Sequence, residues 1–153
     1  MKQNLSGYLL TARFVIVSLL VWVSLTNAAS AQKDPNAIVG EWLSDQKDRR
    51  IQIYRQGGSY FGRITWGTGT VSNDEKNPNP TLRNRPLLGL VLLQNLRFDG
   101  KNTWQDGTIY DPREGKTYAC KVSLESNNRL NIRGFMGLSM FGRTDVWTRV
   151  PNQ

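Results

Sequence analysis

Residues 90–137 read LVLLQNLRFDGKNTWQDGTIYDPREGKTYACKVSLESNNRLNIRGFMG, and this stretch decides the fold. Four runs of β-forming residues, at 90–98, 103–110, 117–124 and 129–137, are separated by three short polar connectors. These are Asp99-Gly100-Lys101-Asn102, Asp111-Pro112-Arg113-Glu114-Gly115 and Ser126-Asn127-Asn128. Aspartate and asparagine side chains bond their own backbone, glycine admits positive φ, and proline fixes φ, so each connector has hairpin chemistry. Within the runs the period is two: Leu130, Ile132 and Met136 share one face, while Asn131, Arg133 and Phe135 share the other. One apolar and one polar face per strand is what an antiparallel sheet over a single core requires.

Working outward, further strands are predicted at 39–43, 50–56 and 60–66, with Gly57-Gly58 as a turn, and at 143–150. The predicted fold is all-β, about eight antiparallel strands in an up-and-down meander, closed into a barrel or folded as a sandwich. The interior set is Ile51, Ile53, Ile64, Leu92, Val122, Ile132 and Met136. Residues 87–93 are apolar on both faces, which implies a covering segment or a partner on the outer face. The connector at 67–86, with Pro78, Pro80, Pro86 and the basic Arg83-Asn84-Arg85, is the expected cover. Loops of this length in a small domain are lids or spacers. A short helix over 81–88 is expected there, with Pro86 ill-suited to its interior.

The first 31 residues form a separate unit. Lys2 and Arg13 precede the largely apolar FVIVSLLVWVSL at 14–25, and Ala29-Ser30-Ala31 matches the small-x-small rule of signal peptidase. That run falls short of the roughly 18 residues that mark a transmembrane helix. The expectation is a cleaved signal peptide over 1–31 and one domain over 32–153, periplasmic or secreted, with no stable membrane insertion after cleavage. Roughly 120 residues remain, enough for one domain.

Of the formal charge of +8, two units belong to Lys2 and Arg13. The remaining basic residues are dispersed, and export argues against nucleic acid as a partner. Cys120 is the single cysteine, so no internal disulfide forms; its alternation with Tyr118 and Val122 predicts a buried packing role.

The chain has no histidine. Ser-His-Asp and Cys-His catalysis are thereby excluded, and zinc sites lose their usual ligands. No nucleophile-elbow or phosphate-loop motif occurs. Asp106 and Asp111 are the remaining acid–base candidates, but both adjoin turn residues where aspartate caps backbone. No catalytic residue, metal site or cofactor is therefore predicted, and the protein is expected not to be an enzyme.

Gly40-Glu41-Trp42 near the start and Trp147-Thr148-Arg149 near the end are similar to the calycin pattern of lipocalins and fatty-acid-binding proteins. There an arginine stacks across an indole that plugs one barrel end. A more specific set of motifs follows in order. These are Ile38-Val39-Gly40-Glu41-Trp42, Asn77-Pro78-Asn79-Pro80, Leu82-Arg83-Asn84-Arg85-Pro86-Leu87-Leu88-Gly89, Gly107-Thr108-Ile109-Tyr110-Asp111-Pro112, Gly115-Lys116-Thr117-Tyr118-Ala119-Cys120-Lys121 and Arg133-Gly134-Phe135-Met136-Gly137, with Phe141-Gly142-Arg143-Thr144 and Trp147 after them. Together they resemble the bacterial exported family known as domain of unknown function 2147. The resemblance implies a calycin-like barrel with no established activity or cofactor. It also implies a pair of cysteines in the second hairpin, where this chain has Gln56 and Phe61, so that hairpin must hold by packing.

The candidate ligand contacts are Arg83, Arg85, Arg133, Tyr60, Trp66 and Tyr110. Arg83 and Arg85 flank the expected lid and suit a carboxylate or phosphate. Arg133 lies on a polar face unless the parity shifts at Gly134. Tyr60 and Trp66 share a face, and Tyr110 ends the strand that enters the Asp111-Pro112 turn. The functional expectation is a barrel binding a small apolar or anionic amphiphilic molecule. The alternative is a packed, non-enzymatic interaction protein of the cell envelope. The sequence leaves oligomeric state open.

Overall fold

Strand alternation and hairpin chemistry bring the two ends of the chain together. A computed structural model describes residues 33–69 and 72–151; the expected export segment lies outside them. Eight strands follow in order: β1 (Gly40–Leu43), β2 (Arg49–Gln56), β3 (Ser59–Gly67), β4 (Val91–Phe98), β5 (Thr103–Asp111), β6 (Lys116–Ser126), β7 (Arg129–Phe135) and β8 (Gly142–Arg149). Each pairs antiparallel with its neighbour, and β8 returns to β1 with Trp42 opposite Arg149 and Leu43 opposite Thr148. Closure rules out the sandwich and removes the exposed edges that an open sheet would carry. Among the described residues no helix is long and apolar enough to cross a membrane.

The core follows the alternation except where bulges reset it. In β2 and β7, Ile51, Ile53, Leu130 and Ile132 are buried as the period requires. In β4 the buried residues are Leu92, Leu93 and Leu96, which is not a period of two. The register against β3 shifts on either side of the Gly62–Leu93 pair, and Asn95 sits at φ 58°. A bulge places two successive residues against one on the partner and re-aims the side chains beyond it. This turns both Leu92 and Leu93 inward; earlier in the two-sided apolar run Leu87 is buried as well, while Leu88 is 65% exposed.

Across from it β5 buries Trp104, Gly107 and Tyr110 around a second bulge, with Asp106 at φ 62°. A Cβ on Gly107 would lie 2.6 Å from the Gln94 carbonyl oxygen, so only glycine fits between the two bulged strands. Asp106 thus sits at the bulge itself, with its side chain exposed. Asp111 caps its turn as expected, its Oδ1 accepting from the Arg113 amide at 2.9 Å.

One end of the barrel, the base, is sealed. Trp42 is fully buried and donates from Nε1 to the Ile38 carbonyl at 2.8 Å. The Arg149 guanidinium stacks 4.1 Å from the indole centroid and donates to the carbonyls of Val39 (3.0 Å) and Ala37 (2.6 Å). Trp104 Nε1 donates to the Pro35 carbonyl at 3.0 Å, so the segment before β1 is pinned across the base. The second hairpin holds by packing: Tyr54 and Phe61 stack at 5.8 Å, with Arg63 5.6 Å from the Tyr54 ring centroid.

Candidate functional site

At the end opposite the base, the loops β1–β2, β3–β4, β5–β6 and β7–β8 surround an open mouth. It leads into a cavity of about 360 Å³. Ile51, Leu92, Ile109, Ile132 and Trp147 supply its apolar walls, and Tyr118 and Phe141 add aromatic side chains. The rim is charged, from Asp45 and Asp48 through Asp111, Arg113 and Glu114 to Arg143 and Asp145. Arg113 Nη1 donates to Gln46 Oε1 at 2.8 Å, tying the β5–β6 turn to the β1–β2 loop. The Asp111 carboxylate, with help from Asp48 and Asp145, raises the Arg113 pKa above its ordinary value despite partial burial. A second cavity, of about 490 Å³, lies under the β3–β4 loop and shares Asp48, Arg49, Pro112 and Arg113 with the first.

The β3–β4 loop is fastened by a buried polar cluster. Asp74 is fully buried; its Oδ1 accepts from Tyr110 Oη at 2.6 Å, and its Oδ2 from Asn77 Nδ2 at 2.7 Å. Arg85 adds Nη2 at 2.7 Å and Nε at 2.9 Å to the same Oδ2, and its guanidinium lies 5.7 Å from the Tyr110 ring centroid. Burial acts to raise the Asp74 pKa. Hydrogen bonds from Tyr110, Asn77 and Arg85, with the Arg85 charge, outweigh it and hold the carboxyl below its ordinary range. Burial and the bond to Asp74 raise the Tyr110 phenol in turn.

Of the six candidate contacts, only Tyr110 lines the mouth cavity. Arg85 is committed to Asp74, and Arg83 Nε donates to the Asn77 carbonyl at 2.9 Å, so both clamp the loop from within. The expected helix there shortens to a 3-10 turn, Pro80–Leu82, capped by Asn79. Arg133 stays on the outer face, donating to Thr144 Oγ1 at 2.8 Å and to the Met140 carbonyl at 2.9 Å, where it braces the β7–β8 loop.

Tyr60 is buried at the base, edge-on to Trp104 with centroids 6.2 Å apart. Trp66 points outward, because the register shift between Arg50 and Ile51 leaves Thr65 unpaired and reverses the parity beyond it. The indole then meets the Arg50 guanidinium at 5.2 Å. Met136, read as interior, follows the end of β7, where it lines the mouth of the cavity and is 70% exposed. The rim groups Asp45, Arg113 and Arg143 were not read as site residues because they sit in separate parts of the chain that only barrel closure gathers.

A profile of a bacterial family, described as an uncharacterized protein conserved in bacteria (DUF2147), matches residues 40–149. The chain belongs to this family. The DUF2147 match begins at Gly40 and ends at Arg149, the two residues that meet in the base. A Cβ on Gly40, whose φ is 136°, would stand 2.7 Å from Arg149 Nη1, so the glycine admits the stacked guanidinium. The solved structure of protein HP1028 from the human pathogen Helicobacter pylori, described as belonging to the lipocalin family, is similar to this DUF2147 chain. The TM-score is 0.63 at 28% identity, covering 68% of this chain and 73% of that one. Among curated proteins, none matches.

Proposed function

We propose that this protein is exported and binds, without chemical conversion, a small apolar molecule in the mouth of its barrel. The observation that carries the reading is a cavity of about 360 Å³, walled by Ile51, Leu92, Ile109, Ile132 and Trp147. Its volume falls in the range of small-molecule sites, roughly 300–1,000 Å³. Eight-stranded barrels are wide enough to hold one small ligand, as in lipocalins. The Trp42–Arg149 plug makes the mouth the way in. The absence of histidine from the sequence and the capping role of Asp111 favour binding over catalysis.

Titration with a neutral fluorescent probe such as 1-aminoanthracene tests this. Saturable 1:1 binding is expected, lost when Ile132→Trp fills the cavity. A protein that takes up no probe, or a filled variant that binds unchanged, overturns the reading.

One observation favours a second reading, an envelope interaction protein. Met136, Leu138, Met140 and Phe141, in the β7–β8 loop beside the mouth, are 70%, 66%, 70% and 74% exposed. Contiguous exposed apolar side chains mark partner surfaces. If that reading holds, Leu138→Ser with Phe141→Ser abolishes capture of a partner, while the fluorescent probe has no saturable site.

A further inference from the structure

We infer that the ligand of the mouth cavity carries a cationic group, an ammonium on an apolar body, and that the site discriminates against the matching anion. This rests on the binding reading above and names the ligand class for the same cavity.

The first argument is charge balance. Five carboxylates line the cavity (Asp45, Asp48, Asp111, Glu114 and Asp145) against three guanidiniums, Arg49, Arg113 and Arg143. Each guanidinium already has a carboxylate: Arg49 with Asp48 at 3.6 Å, Arg113 with Asp111 at 3.2 Å, Arg143 with Asp145 at 2.9 Å. Five carboxylates against three guanidiniums leave an excess of negative charge around the cavity, so an entering carboxylate or phosphate meets net repulsion where an ammonium meets net attraction. Glu114 accepts from Tyr118 Oη at 2.5 Å and lies 3.7 Å from Lys116, whose side chain is 65% exposed. Asp45 has no ion pair among the described residues. The chain as a whole is basic, but screening over about 8–10 Å leaves the rim to set the local potential.

The second argument is independent of the carboxylates. Tyr118, Phe141 and Trp147 line the cavity. The cation–π pairs of the described residues use Trp66, Tyr60, Tyr54, Tyr110 and Trp42 instead, so no side-chain cation among them occupies the cavity rings. Aromatic faces beside carboxylates are the chemistry that recognises ammonium groups. The arginines that suited an anionic head lie elsewhere, with Arg85 on Asp74 and Arg83 on the Asn77 carbonyl. Lys76 lines the second cavity, beyond the shared Asp48 and Pro112.

Calorimetric titration of the whole exported protein with decylammonium, decanol and decanoate, each below its micellar concentration, tests the inference. Decanol binds if the cavity takes apolar molecules. Decylammonium is expected to bind about tenfold or more tighter than decanoate, an advantage that shrinks with added salt. Asp45→Asn should narrow the ratio. Equal affinities, or a preference for decanoate, overturn the inference while decanol binding leaves the broader reading standing. A decanoate preference abolished by Lys76→Met would move the head group to the second cavity. Failure of all three to bind removes both readings.

Discussion

Replacing Asp74 with alanine removes the one acceptor on which the β3–β4 loop converges. Tyr110, 9% exposed, and Asn77, 5% exposed, each lose a carboxylate partner; Tyr110 keeps the Asn77 contact at 3.3 Å, and the Asn77 Oδ1 still accepts from the Asn79 amide at 2.8 Å. A buried polar group left without its partner costs about 1–3 kcal/mol. Arg85 is about a third exposed and rehydrates, so its share is small, about 0–1 kcal/mol. The total expected is about 2–7 kcal/mol, a range that contains the cost of breaking other buried charged contacts.

Two amides report the loop directly, because the Asp74 N–H donates to the Arg85 carbonyl at 3.0 Å and the Leu87 N–H to the Ser72 carbonyl at 2.7 Å. Hydrogen exchange at both should accelerate in Asp74→Ala even where equilibrium urea unfolding registers only part of the loss. The acid side gives a second readout. The folded-state pKa of Asp74 is depressed, so its stabilisation is present above the unfolded carboxylate value of about 3.9 and fades as pH falls through the folded value. Asp74→Asn should lack that component of acid sensitivity. Unchanged exchange at both amides, with unchanged stability in Asp74→Ala, would refute the cluster as the fastening of the loop.

Trp42→Ala should destabilise the barrel by about 3–5 kcal/mol in urea unfolding, as for other buried aromatic truncations; a loss below about 1 kcal/mol would contradict the sealed base. Burial pushes the Cys120 thiol up to about 12, so a thiol reagent at pH 8 should label it only under denaturing conditions. Rapid stoichiometric labelling of the native protein would count against that burial. N-terminal sequencing of exported protein should begin at Gln32; retention of residues 1–31 in a membrane fraction would make that segment an anchor.

The strands were legible because their turns carry residues with one physical use. Asp111 and Pro112 cap and bend, and the runs between turns alternate as a half-buried strand must. Residue-by-residue direction was less legible, because bulges leave no composition signal of their own. Leu92 with Leu93 looked like a strand meeting a cover, and Trp66 looked inward beside Tyr60, until the register shifts reset both. Alternation also carried Met136 inward although β7 ends one residue earlier. At the site, Ile51 and Ile132 were readable as interior because their neighbours are polar. Arg83 and Arg85 looked available because nothing in a linear sequence shows that Asn77 and Asp74 wait for them in the folded loop. The rim charges are a product of topology: four loops far apart in the chain share one barrel end.

Methyl-resolved NMR of the labelled protein, titrated with decanol, tests the binding account most directly. The account predicts saturable shifts at the methyls of Ile51, Leu92, Ile109 and Ile132, with Ile38 and Leu130 beside the sealed base unmoved. Silent cavity methyls at saturating decanol, or shifts confined to exposed Leu138, would contradict it.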